Sequence, residues 1–225
     1  MRFILFDIDG TLLLPKGVGR EATRRAMLEV FGTAGDINGH HFGGKTDWQT
    51  LCELLAAHGY DAARIGQQMP AYEQAAARHM AQIIGDFPVQ PCPGALETVA
   101  ELRRRGLPLG LVTGNVSSIA PVKLRAAGFD PAWFVVGAYG SESADRNQLA
   151  FLALERARRR LQRSIAPEQV VIVGDTPADV ACARALGAQA VAVLTGFSSR
   201  EVLSAAAPDA LLDDLTEFFK VVPLF

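Results

Sequence analysis

In the segment RFILFDIDGTLL, residues 2–13, an apolar run is followed by two aspartates, Asp7 and Asp9, that are separated by one residue. Two carboxylates this close repel each other, and each loses hydration when it is buried. A bound cation would offset both costs. A carboxylate in such a place can also attack phosphorus as a covalent nucleophile. The spacing therefore predicts a metal-dependent site at this point of the chain.

Polar motifs also follow two later apolar runs. The run LGLV is followed by Thr113, Gly114 and Asn115, and the run VVIV is followed by GDTPAD, residues 174–179. In open α/β sheets, ligands bind beyond the carboxyl ends of the parallel strands. We therefore expect the three motifs to converge on one site.

The side chains of these motifs suit a phosphate group held beside Mg²⁺. Carboxylates are hard oxygen ligands of the kind that Mg²⁺ prefers, and the candidates are Asp7, Asp9, Asp175 and Asp179. Hydroxyl groups, an amide side chain and backbone amides beside glycines can hydrogen-bond phosphate, and the candidates are Gly10, Thr11, Thr113, Gly114 and Asn115. Mg²⁺ is therefore the predicted cofactor.

The elements that must position these residues alternate along the chain. Strands are predicted at residues 2–6, 107–112, 133–136, 170–173, 190–194 and 210–212, with helical patterns between most of them. Continuous apolar strands that alternate with helices are typical of a parallel sheet covered on both faces. The predicted fold class is α/β.

Residues 15–87 interrupt this alternation. They contain three helical patterns and no convincing strand, and the segment PVQPCPG that follows has the prolines of a stiff return linker. We therefore predict two domains: residues 1–14 and 89–225 form the α/β core, and residues 15–88 form a helical insert.

Composition argues against several classes of partner. Apolar residues make up 49% of the 225 residues, and 22 basic against 24 acidic residues give a net charge of −2. This balance favours neither a nucleic-acid nor a membrane partner. Three widely spaced cysteines suit reduced thiols, and an acidic residue at position 7 interrupts any signal-peptide core, so we expect a cytoplasmic protein.

Taken together, the motifs resemble those of the haloacid dehalogenase (HAD) superfamily. DIDGTL, LVTGN and GDTPAD are similar to its motifs I, II and IV, and the helical insert after the first motif resembles its C1 cap. The resemblance covers essentially the whole chain. It implies a Rossmann-like catalytic core with an inserted cap, and phosphatases of the phosphoglycolate phosphatase type are the nearest pattern.

The resemblance also implies a role for each motif residue. Asp7 would be the nucleophile that becomes an aspartyl phosphate, and Asp9 the general acid and base. Thr113 would bind the phosphoryl group. Mg²⁺ would be held by Asp7, the backbone carbonyl of Asp9 and Asp175, with support from Asp179.

One motif departs from the family pattern. The family generally places a lysine before the helix that follows the third strand, whereas this region reads GSESADRNQLAF and contains none. We assign the role to Arg146, the nearest cation. Arginine keeps its charge and can hold phosphate oxygens bidentately, so the exchange is chemically workable although its geometry differs. Lys123 is an alternative source of this charge.

The segment GHHFGGKT, residues 39–46, matches the P-loop pattern. A true P-loop follows a buried strand, and the preceding residues GTAGDIN do not resemble one. Within the family resemblance, the segment joins two cap helices and can face the active site. Phe42 and Lys45 are then candidates for contact with the substrate.

The expected reaction is Mg²⁺-dependent hydrolysis of a small phosphorylated metabolite. Dehalogenases and phosphonatases resemble this fold but lack an acidic residue at the position of Asp9. A phosphosugar mutase keeps both aspartates and remains an alternative, as do a P-loop nucleotide-binding protein and a non-catalytic HAD-like interaction protein. The substrate and the oligomeric state, monomer or homodimer, stay open.

Overall fold

The computed structural model describes residues 2–222, which form eight strands and nine helices. The strands are β1 (Phe3–Phe6), β2 (Leu13–Leu14), β3 (Gln90–Pro91), β4 (Leu109–Val112), β5 (Val136–Ala138), β6 (Val170–Gly174), β7 (Gln189–Val193) and β8 (Ala210–Leu212). The helices are α1 (Val18–Phe31), α2 (Asp47–Leu55), α3 (Ala62–Ile83), α4 (Ala95–Arg104), α5 (Ala120–Ala126), α6 (Arg146–Leu161), α7 (Pro177–Leu186), α8 (Arg200–Ala205) and α9 (Phe218–Val221).

Six strands form one parallel sheet in the order β5-β4-β1-β6-β7-β8. The central strand β1 pairs with β4 on one side and β6 on the other, so that Phe6 lies beside both Leu111 and Val173. The three motifs that follow these strands therefore leave the sheet side by side. The α/β fold class predicted from the sequence is confirmed.

Both faces of the sheet are buried under helices. Alternate residues of β1 point to opposite faces, with Ile4 and Phe6 in one apolar cluster and Phe3 and Leu5 in the other. Helices α4 and α5 contribute to the first cluster, and α6 and α7 to the second. This double burial explains why the central strands read as uninterrupted apolar runs.

The segment between β2 and β3 is helical and has an apolar cluster of its own. Helices α1, α2 and α3 bury Met27, Leu51 and Tyr72 against one another, and Val116 and Ile119 of the core join this cluster. Among the described residues, no helix has the length and apolar character needed to cross a bilayer.

A two-stranded ribbon carries the chain into and out of this helical segment. Leu13 pairs with Pro91 and Leu14 with Gln90 in an antiparallel arrangement. The division into domains at residues 14/15 and 88/89 stays a prediction. Two-residue strands are too short to show an alternating pattern, so the ribbon could not be predicted from the residue pattern.

The strand predicted at residues 133–136 is wrong in position. Residues Pro131–Trp133 form a 3₁₀ turn, and the strand begins at Val136. The Asp130 carboxylate accepts a hydrogen bond of 2.9 Å from the amide of Ala132, and Pro131 fixes the backbone angle that starts the turn. This local turn chemistry overrides the β propensity of the residues that follow.

Candidate active site

A cavity of about 260 Å³ lies where the motifs after β1, β4 and β6 meet. The core contributes Asp7, Asp9, Thr113, Gly114, Asn115, Lys123, Arg146 and Thr176 to its lining, and the helical segment contributes Arg20, Phe42, Lys45 and Asp47 among others. The convergence expected from the sequence is therefore present, and residues of the helical segment line the same cavity.

Three carboxylates form a buried acidic cluster at this edge of the sheet. One oxygen atom each of Asp7, Asp175 and Asp179 lies within 4.8 Å of the others. Burial raises the pKa of Asp7 to about 6, because the charge of Arg146 offsets only part of the desolvation and the other carboxylates add to it. Burial, together with the charges of Asp179 and Asp7, raises the pKa of Asp175 well above its ordinary value.

Asp175 is positioned by the turn that follows β1. The Thr11 hydroxyl donates to its Oδ1 at 3.3 Å, and the backbone amide of Phe197 donates to its Oδ2 at 2.8 Å. Gly10 has a φ of +87°, and a β-carbon there would collide with the Asp175 carboxylate. Only glycine tolerates both the positive φ and the close approach of the carboxylate. Together with the hydrogen bond from Thr11, this accounts for the Gly-Thr pair after the two aspartates.

Arg146 connects two members of the acidic cluster. It is the first residue of α6 and is nearly fully buried. Its Nη2 lies 3.1 Å from Oδ1 of Asp7 and also donates to Oδ1 of Asp179. Burial acts to lower the pKa of Arg146, but the charges of Asp179 and Asp7 outweigh it and raise the pKa. The cation assigned from the sequence thus lies beside the nucleophile candidate.

Asp179 holds the loop after β6 together. Its Oδ2 accepts hydrogen bonds from the backbone amide of Thr176 at 3.0 Å and from the Thr176 hydroxyl at 2.7 Å. Its Oδ1 faces Arg146. These contacts fit the supporting role that the family resemblance implied for Asp179.

Asp9 differs from Asp7 in its partners. Its Oδ2 accepts hydrogen bonds from Nζ of Lys123 at 2.6 Å and from Nδ2 of Asn115 at 3.0 Å. Its Oδ1 is inaccessible to solvent and has no hydrogen-bond partner. The two aspartates therefore have separate environments although they stand two positions apart.

The polar groups of the motif after β4 are largely hydrogen-bonded to other groups of the protein. Nδ2 of Asn115 donates to Oγ1 of Thr113 at 2.8 Å as well as to Asp9, and the carbonyl of Gly114 accepts from the amide of Asp47 at 2.8 Å. A side chain at Gly114 would collide with the backbone of Lys45. That Thr113, Gly114 and Asn115 contact substrate stays a prediction.

Phe42 and Lys45 line the cavity from the helical segment. The Lys45 ammonium group is paired with Glu53, and the Arg20 guanidinium lies 4.6 Å from the centre of the Phe42 ring. Residues 32–46, all of which the structure describes, contain no strand. The segment GHHFGGKT thus lacks the preceding strand of a P-loop and forms part of the cavity wall instead.

Two buried residues of the site, Lys123 and Asp47, were not predicted as site residues from the sequence. Lys123 was considered only as an alternative cation, yet its side chain is 2% exposed and is bonded to Asp9. Its one sequence signal is a lysine on an otherwise apolar face of a short helix. Asp47 accepts a hydrogen bond of 2.9 Å from the amide of Val116, and burial raises its pKa to about 6. An acidic residue at the start of a helix is commonly explained by its favourable interaction with the helix dipole. The sequence therefore did not mark Asp47 as a site residue.

Comparison with known proteins agrees with this geometry. The family model for haloacid dehalogenase-like hydrolases matches residues 1–187. The chain belongs to the haloacid dehalogenase-like hydrolases. The family predicted from the three motifs is therefore confirmed.

Two relatives of this HAD hydrolase match it over nearly their whole length. Phosphoglycolate phosphatase of Synechococcus elongatus is 31% identical over 228 residues, which cover 99% of this chain and 97% of that protein. Pyrophosphatase PpaX of Bacillus mycoides is 22% identical over 97% of this chain and 95% of its own length. The crystal structure of a hydrolase from Pseudomonas syringae has a TM-score of 0.72 at 21% identity, covering 98% of this chain and 97% of that one, and so shares the fold.

The acidic cluster of this HAD hydrolase fits a divalent cation. Asp7, Asp175 and Asp179 offer only hard oxygen atoms, and their mutual repulsion is what raises the pKa values of Asp7 and Asp175 beyond the effect of burial. Glycines on two sides of Asp175, at positions 10 and 196, leave no room for a β-carbon near its carboxylate. The donor set is that expected of a site for a hard divalent cation.

Proposed function

We propose that this HAD hydrolase is a Mg²⁺-dependent phosphatase that acts on a small phosphorylated metabolite through a phosphoaspartate at Asp7. One observation carries the proposal: Asp7 is buried beside Arg146 in a cavity that Asp9 also lines, with one Asp9 oxygen free of any partner. A nucleophile, a neighbouring cation and a separate acid–base group are the parts that such a reaction needs.

In the first half of the reaction, an oxygen of Asp7 attacks phosphorus and the bond from phosphorus to the leaving oxygen breaks. Asp9 gives its proton to that leaving oxygen. In the second half, Asp9 takes a proton from water as the water oxygen attacks phosphorus, and the bond to Asp7 breaks. Asp7 is thereby regenerated and inorganic phosphate is released.

Arg146 and the metal site stabilise the negative charge of this reaction. The guanidinium of Arg146 lies 3.1 Å from Asp7 and so adjoins the oxygens of a phosphoryl group attached there. Asp7, the carbonyl of Asp9 and Asp175 would hold Mg²⁺, with Asp179 in support. When bound, Mg²⁺ supplies positive charge that holds a phosphate oxygen and balances the carboxylates.

The cavity and the relatives support the proposed substrate class. A cavity of about 260 Å³ suits a small phosphate ester, and Phe42 and Lys45 of the helical segment also line it. The relatives are named for phosphoglycolate and pyrophosphate hydrolysis. A panel of phosphorylated metabolites that includes both compounds and several phosphosugars tests this proposal directly.

The mechanism is tested with Asp7→Asn. Wild-type protein should hydrolyse 4-nitrophenyl phosphate with Mg²⁺ and lose this activity with EDTA. Asp7→Asn should fold normally and lose activity by several orders of magnitude, because a carboxamide cannot form the acyl phosphate. Asp86→Asn, at an exposed position, is the matched control and should keep wild-type turnover. Near-normal turnover by Asp7→Asn contradicts the mechanism.

A further inference from the structure

Lys123 is a buried lysine whose ammonium group is bonded to the acid–base aspartate of the site. Nζ of Lys123 lies 2.6 Å from Oδ2 of Asp9 and 2.6 Å from Oδ1 of Asn115. Burying an ammonium group costs several kcal/mol unless close partners compensate it. Both of these partners belong to the active site, so the lysine is tied to the site's own polar groups.

Lys123 and Asn115 together form a clamp on one oxygen of Asp9, which we call the Asp9 clamp. Asn115 accepts from Lys123 and donates to Asp9 at 3.0 Å, so the three side chains form a closed set of hydrogen bonds. Both donors meet at Oδ2, whereas Oδ1 has no partner. The clamp therefore distinguishes the two oxygens of a carboxylate that is otherwise symmetric.

This arrangement fixes the orientation of the Asp9 carboxyl group. Its Oδ2 accepts hydrogen bonds from two donors, Lys123 and Asn115. The terminal torsion of an aspartate is broad and roughly two-fold, so an unclamped Asp9 could exchange its oxygens or turn away.

The helical segment closes over the clamp. A β-carbon placed on Gly19 of α1 would lie 3.1 Å from Nζ of Lys123, so the backbone there covers the ammonium group at close range. This contact contributes to the burial of the Lys123 side chain, which is 2% exposed.

We propose that Lys123 is a positioning residue that holds Oδ2 of Asp9 and so fixes the orientation in which the Asp9 carboxyl group exchanges protons. The inference rests on the proposed function. Asp9 gives its proton to the leaving oxygen as the phosphorus–oxygen bond breaks, and it later takes one proton from the attacking water. Lys123 keeps its own protons and forms no bond to the substrate in either half of the reaction.

The test is Lys123→Met, which keeps the length and apolar stem of the side chain and removes the ammonium group. Its kcat/KM is measured on a series of substituted phenyl phosphates whose leaving phenols range from strongly to weakly acidic. Leaving groups that are weakly acidic need a proton from Asp9, whereas strongly acidic ones do not. The exposed Lys220→Met is the matched control.

We expect a loss that grows along the series. Lys123→Met should lower kcat/KM about 10- to 100-fold on phenyl phosphate and less than about 3-fold on 4-nitrophenyl phosphate, a part of what general acid catalysis supplies. In the Asp9→Asn background the same substitution should cause no further loss, because a residue that acts only through Asp9 has nothing left to position.

Other outcomes overturn the inference. A uniform loss across the series would mean that Lys123 acts on the phosphoryl group or on the fold, and so would a loss that adds to that of Asp9→Asn. If Asp9→Asn alone shows no dependence on the leaving group, the acid role proposed for Asp9 fails first. Should Lys123→Met not fold, Lys123→Gln, whose amide can still donate to Oδ2, must show the same dependence with a smaller loss.

Discussion

Acidification should weaken Mg²⁺ binding, and the size of the change in affinity follows from the pKa of Asp7. A carboxyl group must lose its proton before it can hold the metal. Asp7 has a pKa of about 6 in the metal-free protein, so it is mostly ionised at pH 7 and about nine-tenths protonated near pH 5. The proton then competes with Mg²⁺ for the same oxygen atoms.

The competition at Asp7 alone should raise the apparent Kd for Mg²⁺ about tenfold between pH 7 and about pH 5, or about 1.4 kcal/mol. Asp175 acts in the same direction because its pKa is also raised, so tenfold is a lower bound. Binding at about pH 5 should release at least one proton. Isothermal titration calorimetry in two buffers with different protonation enthalpies measures both the Kd and the number of protons.

A matched variant separates the metal site from burial in general. Asp47 has a pKa of about 6 for the same reason, burial, but it lies outside the acidic cluster. Asp47→Asn should therefore keep the full pH dependence of Mg²⁺ binding. Equal affinities at the two pH values in the wild type would refute the reasoning, because they would mean that no carboxylate of the cluster holds a proton at about pH 5.

Three further predictions concern Asp47, Arg146 and Lys45. Burial raises the pKa of Asp47, so its ionisation costs stability as the pH rises through about 6; thermal melts should show that Asp47→Asn stabilises the protein by about 1 kcal/mol more at pH 7 than near pH 5. Arg146→Ala should lower kcat/KM by roughly 10²–10³ and also lower the melting temperature, since Asp7 and Asp179 lose a buried partner, and Arg146→Lys should restore much of the activity. Unchanged kinetics in Arg146→Ala would mean that another cation stabilises the phosphoryl group. Lys45→Ala should keep turnover of 4-nitrophenyl phosphate within about twofold, since that substrate makes few contacts with the cap; micromolar ATP binding that disappears in this variant would instead support a P-loop.

The sequence was sufficient to predict the parts of the site that lie at strand ends. A strand buried on both faces reads as an apolar run, so the polar residues directly after it stand out. Asp7, Thr113 and Asp175 each follow such a run, and the strand order places them at one edge of the sheet. The α/β class follows from the same alternation.

Other features depend on tertiary contacts that have no local signature. The burial of Lys123 is set by the bonds to Asp9 and Asn115, which are 114 and eight positions away in the chain. The strand near residue 136 was misplaced because the turn begun by Asp130 outweighs the propensity of the residues after it.

The ribbon of β2 and β3 has a consequence for how such proteins diversify. Because Leu14 and Gln90 are hydrogen-bonded neighbours, the chain leaves the catalytic core and returns to it at practically one point. We therefore expect that the residues between them can be exchanged or shortened, provided that the contacts of Asp47 with Gly114 and Val116 are replaced. Joining residues 14 and 90 by a tight hairpin should thus give a minimal core, with a site open to solvent, on which unrelated lids could be grafted to choose new leaving groups.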